Sequence, residues 1–313
     1  MIQLENLVKD YGSLRAVDHL NFTINDGEIL GFLGPNGAGK STTLKTITCY
    51  LAPTSGNIHV DNYNVIEHSM KIREMIGYLP EQNPLYDEMT VFDYLKFIGD
   101  VRNISEKKFR KRLDEVIDQT GLHGVIAKPI HTLSKGYRQR TGLAQAILHD
   151  PKILILDEPT NGLDPNQIVE IRELIKELGK EKTLIISSHI LQEVQAVCER
   201  IIIINNGRLV ADGGKEELQA SFENKTKIEL ELIAPQTELT KLEQSIQGIS
   251  VLNAGSDGQI TKAIIEYSKG KDKRPNIYNF IKSQDWTLLE MHKVSISLED
   301  VFRNLTIEGG NKK

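Results

Sequence analysis

The chain is short of cysteine and of long apolar runs, and each shortage excludes something. Cys49 and Cys198 are the only cysteines in 313 residues. They lie far apart without ligand-like spacing, which excludes a zinc ribbon or a disulfide framework and fits a reducing compartment. The densest apolar stretches, residues 153–156 and 200–204, are strand-sized, whereas a helix crossing a bilayer needs about 18 consecutive apolar residues. The opening Met1-Ile-Gln-Leu-Glu5 has no basic region followed by an apolar run, so no secretory leader is expected. Excess positive charge is also missing. The 38 Lys and Arg against 43 Asp and Glu leave a net charge of −5, which argues against nucleic acid as a general partner. What remains, 39% hydrophobic and 26% charged residues, is the composition of a globular protein with two domains, or one large domain and an appendage.

Residues 34–42 read Gly34, Pro35, Asn36, Gly37, Ala38, Gly39, Lys40, Ser41, Thr42, a complete G-x-x-x-x-G-K-[ST] string. It follows the apolar residues 29–33 and opens a helically periodic stretch. A strand-to-helix turn is the setting in which backbone N–H groups can close around the β- and γ-phosphates of a nucleotide. Glycines allow that close approach, Lys40 reaches the terminal phosphates and Ser41 offers a hydroxyl to Mg²⁺. The pattern predicts a chain that binds a nucleoside triphosphate.

The rest of the first 220 residues alternates strand-like and helical segments. Strands are expected over residues 2–4, 20–24, 28–33, 76–79, 153–157, 183–187 and 200–204. Helices are expected from Lys40, over 90–101, from a Ser105 cap to Gly121, over 135–148 and over 166–178. This is an alternating α/β core interrupted by a helical stretch. From about Thr226 the pattern changes. Residues 227–233 alternate strictly, Leu239, Leu242 and Ile246 mark a helix, and runs 250–253 and 259–267 flank a turn at 255–258. A helix around Ile277, Phe280 and Ile281 and a strand over 286–291 complete the order βαββαβ, the ferredoxin-like arrangement. A last helix carries Leu298, Val301, Phe302 and Leu305 on one face. The domains expected are 1–222 and 223–313.

Ile153-Leu-Ile-Leu-Asp157-Glu158-Pro159 is an apolar strand ending in two carboxylates. Neighbouring strand residues face opposite ways, so the two acids cannot share one task. Asp157 is placed to hold Mg²⁺ through its hydration shell and Glu158 to face an attacking water. A plain polar strand end is the other reading of the same three residues. Leu133-Ser-Lys-Gly-Tyr-Arg-Gln-Arg140 lies between this strand and the phosphate-binding loop. Ser134 there can cap a helix and build an anion site.

Together these motifs resemble the ATP-binding subunit of an ABC (ATP-binding cassette) transporter. Leu133 to Arg140 is similar to the family's signature motif, although Lys135 and Tyr137 stand where the usual Leu-Ser-Gly-Gly-Gln has glycine and glutamine. The order continues with Gln82 in Tyr78-Leu-Pro-Glu-Gln, Asn161-Gly-Leu-Asp164, and His189 in Ser187-Ser-His-Ile. Tyr11 in Lys9-Asp-Tyr-Gly matches the aromatic that stacks on adenine. The resemblance covers about residues 2–220. It implies a P-loop NTPase cassette: a RecA-like α/β core, an antiparallel β subdomain and a helical subdomain at about 83–148, followed by a small C-terminal α+β domain.

The resemblance further implies ATP hydrolysis, with Glu158, His189 and Gln82 catalytic and Ser41, Gln82 and Asp157 around Mg²⁺. The nucleotide would contact residues 34–42 and Tyr11 in one cassette, and Ser134, Gly136 and Asp164 in a second, head-to-tail cassette. A homodimer is expected, serving a separate multi-span permease at the cytoplasmic face of the membrane, with residues 84–97 as the docking segment. Lys135 to Arg140, the Gly162-Leu-Asp-Pro165 turn and Ser297 to Phe302 are similar to subunits serving ABC-2-type permeases, mostly exporters. Asn83-Pro-Leu-Tyr86 and the chain length resemble the ATP-binding subunit of the gliding-motility-associated transporter. A soluble regulatory ATPase is the reading from another class. The basic run 107–112 reads as a solvated helix face, or alternatively as a contact for lipid headgroups.

Overall fold

The computed structural model describes residues 1–222, 225–257, 259–268, 270, 272–294 and 297–307. Gly258, in the expected 255–258 turn, and residues 223 and 224, at the expected domain boundary, lie outside them. Two compact units are present, one of Met1–Lys215 joined by the end of the chain from Phe302, the other of Glu216–Val301.

In the first unit, β1 (Ile2–Tyr11) and β2 (Leu14–Ile24) form a hairpin. β3 (Ile29–Leu33) runs into α1 (Lys40–Ile47), followed by β4 (Ser55–Val60), β5 (Tyr63–Asn64), α2 (Ser69–Met75) and β6 (Ile76–Leu79). Three helices come next, α3 (Val91–Val101), α4 (Glu106–Thr120) and α5 (Lys135–Ile147). Then follow β7 (Ile153–Asp157), α6 (Pro165–Gly179), β8 (Thr183–Ser188), α7 (Leu191–Gln195), β9 (Arg200–Asn205) and β10 (Arg208–Gly214). One sheet has the order β2-β1-β4-β5, the other β10-β9-β3-β8-β7-β6. All neighbours from β9 to β6 are parallel. Strands covered on both faces read as continuous apolar runs, which is why β3, β7, β8 and β9 stand out in the sequence.

Pleating divides these strands between two cores. Ile153 and Ile155 of β7 join Leu30, Phe32, Ile202 and Ile204 in a cluster with the antiparallel sheet. Leu154 and Leu156 face the opposite way, into a cluster with Leu95, Phe109, Val116, Leu143 and Ile147 of the helices. The helical stretch therefore shares its core with the central sheet.

Local chemistry sets the helix starts. Thr90 caps α3 by accepting from Asp93 N, and Asp164 caps α6, with Pro165 in the first turn. Helix α6 thus begins one residue before the expected Asn166. Ser105 occupies the N-cap of α4, but its side chain makes no capping bond.

The second unit begins within α8 (Lys215–Phe222) and holds β11 (Lys225–Ile233), α9 (Thr240–Ser245), β12 (Ile249–Asp257), β13 (Ile260–Ser268), α10 (Arg274–Ser283) and β14 (Thr287–Val294). Its antiparallel sheet has the order β12-β13-β11-β14, the ferredoxin-like order for βαββαβ. Residues 255–257, expected in a turn, continue β12 because they pair with Ile260, Thr261 and Lys262 of β13. A final helix, α11 (Leu298–Ile307), starts in the second unit and ends in the first.

Candidate functional site

Three adjacent parallel strands deliver the site at their carboxyl ends, in the order β3-β8-β7. Pairing of Leu33 with Ser188 and of Asp157 with Ser187 sets the register. Loop 34–39 leaves β3, His189 follows β8, and Glu158 follows β7. Open α/β sheets place ligands at this edge.

The loop's shape depends on glycine. Gly39, the N-cap of α1, has φ +103°, and a Cβ there would fall 2.5 Å from Ala16 O. Lys40 is 6% exposed and folds back over the loop. Its Nζ donates to Gly34 O at 2.8 Å and Pro35 O at 3.3 Å, and lies 3.3 Å from Glu158 Oε1. The other Glu158 oxygen accepts from His189 Nδ1 at 2.9 Å. Lys40, Glu158 and His189 thus form one contiguous cluster from three loops.

Glu158 holds an unusual backbone, φ +50°. For a non-glycine residue the left-handed region costs about 1–3 kcal/mol, and such strain concentrates where a side chain must be aimed. Here it is held by the Glu158 N–H, which donates to Ser187 Oγ at 2.9 Å and lies 3.2 Å from Ser187 O. The Ser187 hydroxyl in turn donates to Asp157 Oδ1. Burial pushes the Asp157 carboxyl above the usual carboxylate range, against the hydrogen bond from Ser187. Its Oδ2 is buried without a hydrogen-bond partner, an arrangement that normally calls for a ligand or water. Asp157, Ser41 and Gln82 line one cavity of about 790 Å³ with Lys45, Tyr78 and Pro84.

The signature-like residues lie elsewhere in the unit. Ser134 caps α5 by accepting from Tyr137 N at 3.4 Å. Gly136 faces Gln167 of α6 so closely that a Cβ would meet its amide carbon at 2.6 Å. Gln167 N donates to the capping Asp164 Oδ1 at 3.0 Å. Lys135, one of the two departures from the family pattern, lays its ammonium over Gly162, where a Cβ would come within 1.9 Å of Nζ. Gln139 Nε2 donates to Pro159 O at 2.8 Å. Among the described residues, no hydrogen bond joins Ser134 or Gly136 to residues 34–42. Tyr11, at the tip of the first hairpin, is 47% exposed, with Lys9 Nζ 5.5 Å from its ring centre.

The sequence reading missed three polar supports. Ser187 links the two carboxylate positions, as described. Gln167 fills the space that Gly136 leaves. Glu193, 8% exposed, accepts from Thr160 Oγ1 and, at 3.0 Å, from Ser188 Oγ. It ties the segment after β7 to the end of β8. Nothing in the local sequence around Glu193 announces that burial.

Comparison with known proteins gives the same reading. The ABC transporter family model matches residues 17–161. The chain is 36% identical to the bacitracin transport ATP-binding protein BcrA of Bacillus licheniformis over 312 residues, 99% of this chain and 98% of that one. It is 34% identical to the uncharacterized ABC transporter ATP-binding protein YhcH of Bacillus subtilis (strain 168), over 98% of this chain and 96% of that one. The dimeric structure of the bacterial ABC transporter cassette MJ0796 superposes with a TM-score of 0.64 at 29% identity, covering 68% of this chain and 98% of the cassette. With its phosphate-binding loop, paired carboxylates and histidine assembled at one sheet edge, the chain belongs to the ABC transporter ATP-binding proteins, the ATP-hydrolysing subunits of those transporters.

Proposed function

We propose that two copies of this chain form a head-to-tail dimer that hydrolyses ATP to drive an ABC-2-type export permease. The meeting of Lys40, Glu158 and His189 carries the catalytic part of the reading. Residues 34–42 cradle the phosphates, and Lys40 exchanges its carbonyl and carboxylate partners for phosphate oxygens. Glu158 aims and deprotonates the attacking water, and His189, bonded to Glu158, contacts the γ-phosphate. Asp157, one of whose carboxylate oxygens lacks a hydrogen-bond partner, lines the cavity shared with Ser41 and Gln82, and this set fits a magnesium site. The metal, when bound by these residues, supplies charge neutralisation on the transferring group.

Tyr11 stacks on adenine. Ser134, Gly136 and Asp164 serve the nucleotide of the opposite cassette, which agrees with Ser134 and Asp164 accepting from Tyr137 N and Gln167 N. The domain division proposed is a cassette over 1–222 and an accessory domain over 223–313. The permease docks on residues 84–97, where Tyr86, Phe92 and Phe97 are exposed, bringing the chain to the cytoplasmic face of the membrane as a peripheral subunit. Export rests on the similarity to ABC-2 subunits and to a bacitracin transport protein, and a gliding-motility-associated transporter is the narrower assignment.

The test is a tagged pull-down from detergent-solubilised membranes of the native cell, using Glu158→Gln with ATP. Recovery of a multi-span protein is the expected result. Recovery of soluble partners alone, with ATPase activity intact, would overturn the transport reading.

A further inference from the structure

The β9–β10 hairpin closes with Asn206 at φ +49° and Gly207 at φ +75°. Two positive φ values in a two-residue loop make the tight turn best matched to strand twist. On one side this turn grips the phosphate-binding loop. Gly207 N donates to Ala38 O at 2.9 Å, and a Cβ on Gly39 would lie 3.5 Å from Gly207 Cα. Ile204 O, just upstream, sits 2.5 Å from where a Gly34 Cβ would be. Asp18 N donates to Gly207 O at 2.9 Å, fixing the turn to β2. The end of β9 and its turn therefore touch the loop at both ends.

On its other side the same turn holds the end of α11. Asn205, 9% exposed, donates from Nδ2 to Leu305 O at 3.3 Å and Thr306 O at 3.2 Å. Those are last-turn carbonyls, which lack partners within the helix. Leu305 also lines a cavity of about 360 Å³ with Arg15, Asp18, Asn205, Asn206 and Arg208. Helix α11 has its first turn in the Glu216–Val301 unit and the remainder in the nucleotide-binding unit. The chain thus leads from the accessory unit directly to the turn that braces the phosphate-binding loop.

We propose that Asn205 is a positioning residue: it clamps the end of α11 to the β9–β10 turn, and through that turn's contacts with Ala38 and Gly39 it sets the affinity of the phosphate-binding loop for ATP. The clamp sets the height of the loop amides and leaves Glu158 and His189 untouched. Its loss acts on nucleotide affinity and spares turnover at saturating ATP.

The test uses the full-length chain. Asn205→Asp keeps the volume and removes the donor. Leu305→Pro disrupts the last turn of α11 and leaves Asn205 intact. Displacement of a fluorescent ATP analogue by ATP, with steady-state phosphate release, separates affinity from turnover. Each variant is expected to raise the Kd for ATP about 3- to 10-fold, the scale of coupling through a packed contact, with kcat little changed. Because both variants break one clamp, the double variant should bind ATP no more weakly than the weaker single one. Amide exchange over 298–306 should accelerate in Asn205→Asp. Unchanged affinity in Asn205→Asp, additive losses in the double variant, or a fall in kcat at constant Kd would each overturn the proposal. The Asn205→Asp result decides the matter even if Leu305→Pro fails to fold.

Discussion

Replacing Glu158 by glutamine separates the chemical step from binding. The side chain keeps its volume and one carbonyl acceptor, so the buried site, in which Lys40 is 6% and Glu158 4% exposed, need not repack. What disappears is the negative charge 3.3 Å from Lys40 Nζ, on the carboxylate that bonds His189 Nδ1 and would accept a proton from water. A positioned general base contributes about 10²–10⁴ in rate, and at 1.36 kcal/mol per decade its loss raises the barrier by about 2.7–5.4 kcal/mol. Lys40 meanwhile loses an anionic competitor for its ammonium, in a site where water screens little, so ATP should bind at least as tightly as before. Single-turnover phosphate release at saturating ATP, beside size-exclusion chromatography with ATP and magnesium, reads both effects. The expected pair is hydrolysis slowed about 100-fold or more and accumulation of a closed dimer. Turnover within about tenfold of wild type would remove Glu158 from the role of base. Loss of ATP binding would instead show that its charge holds the empty loop in shape.

Lys40→Ala should act on binding itself, and unchanged nucleotide affinity in an equilibrium titration would refute the cradle assignment. Gly39→Ala forces a Cβ into the carbonyl of Ala16 at φ +103°; backbone strain alone should cost about 1–3 kcal/mol in urea unfolding, and ATP binding should be lost. His149 is held neutral, its pKa pushed down to about 4, first by burial and then by nearby Arg102. The unfolded chain takes up this proton near pH 6.5 and the folded chain only near 4, so stability should fall as pH drops between those values, by up to about 3 kcal/mol. Melting temperatures of His149→Gln from pH 7 to pH 4 should lack that component, and an identical pH profile would contradict it.

The parts legible in the sequence were those where one residue type alone satisfies the geometry. Gly39 and Lys40 announce the loop because nothing else fits, and β3, β7, β8 and β9 announce themselves because both faces are covered. Strands β4 (Ser-Gly-Asn-Ile-His-Val) and β10 (Arg-Leu-Val-Ala-Asp-Gly-Gly) were not legible. They are half-exposed antiparallel strands, and Gly56 carries a positive φ, so polarity and glycine mask the alternation. The two acids after β7 were readable as a pair, but the scaffold around them was not. Ser187 looks like any strand-end serine and Glu193 like any surface helix acid, and only the tertiary structure brings them to Asp157 and Thr160. The ferredoxin-like unit was readable in order but not in length, since pairing with β13 carries β12 through residues whose composition suggests a turn.

Strand β7 answers to two cores and ends at the paired carboxylates Asp157 and Glu158. Losing or gaining one residue between Ile153 and Asp157 would turn Ile153 and Ile155 toward the helices and Leu154 and Leu156 toward the antiparallel sheet. The same slip would move Asp157 off its partner Ser187. In evolution this stretch can therefore drift by substitution of one aliphatic residue for another but is closed to insertion and deletion. Its length is constrained by folding and, on the proposed roles of Asp157 and Glu158, by hydrolysis as well.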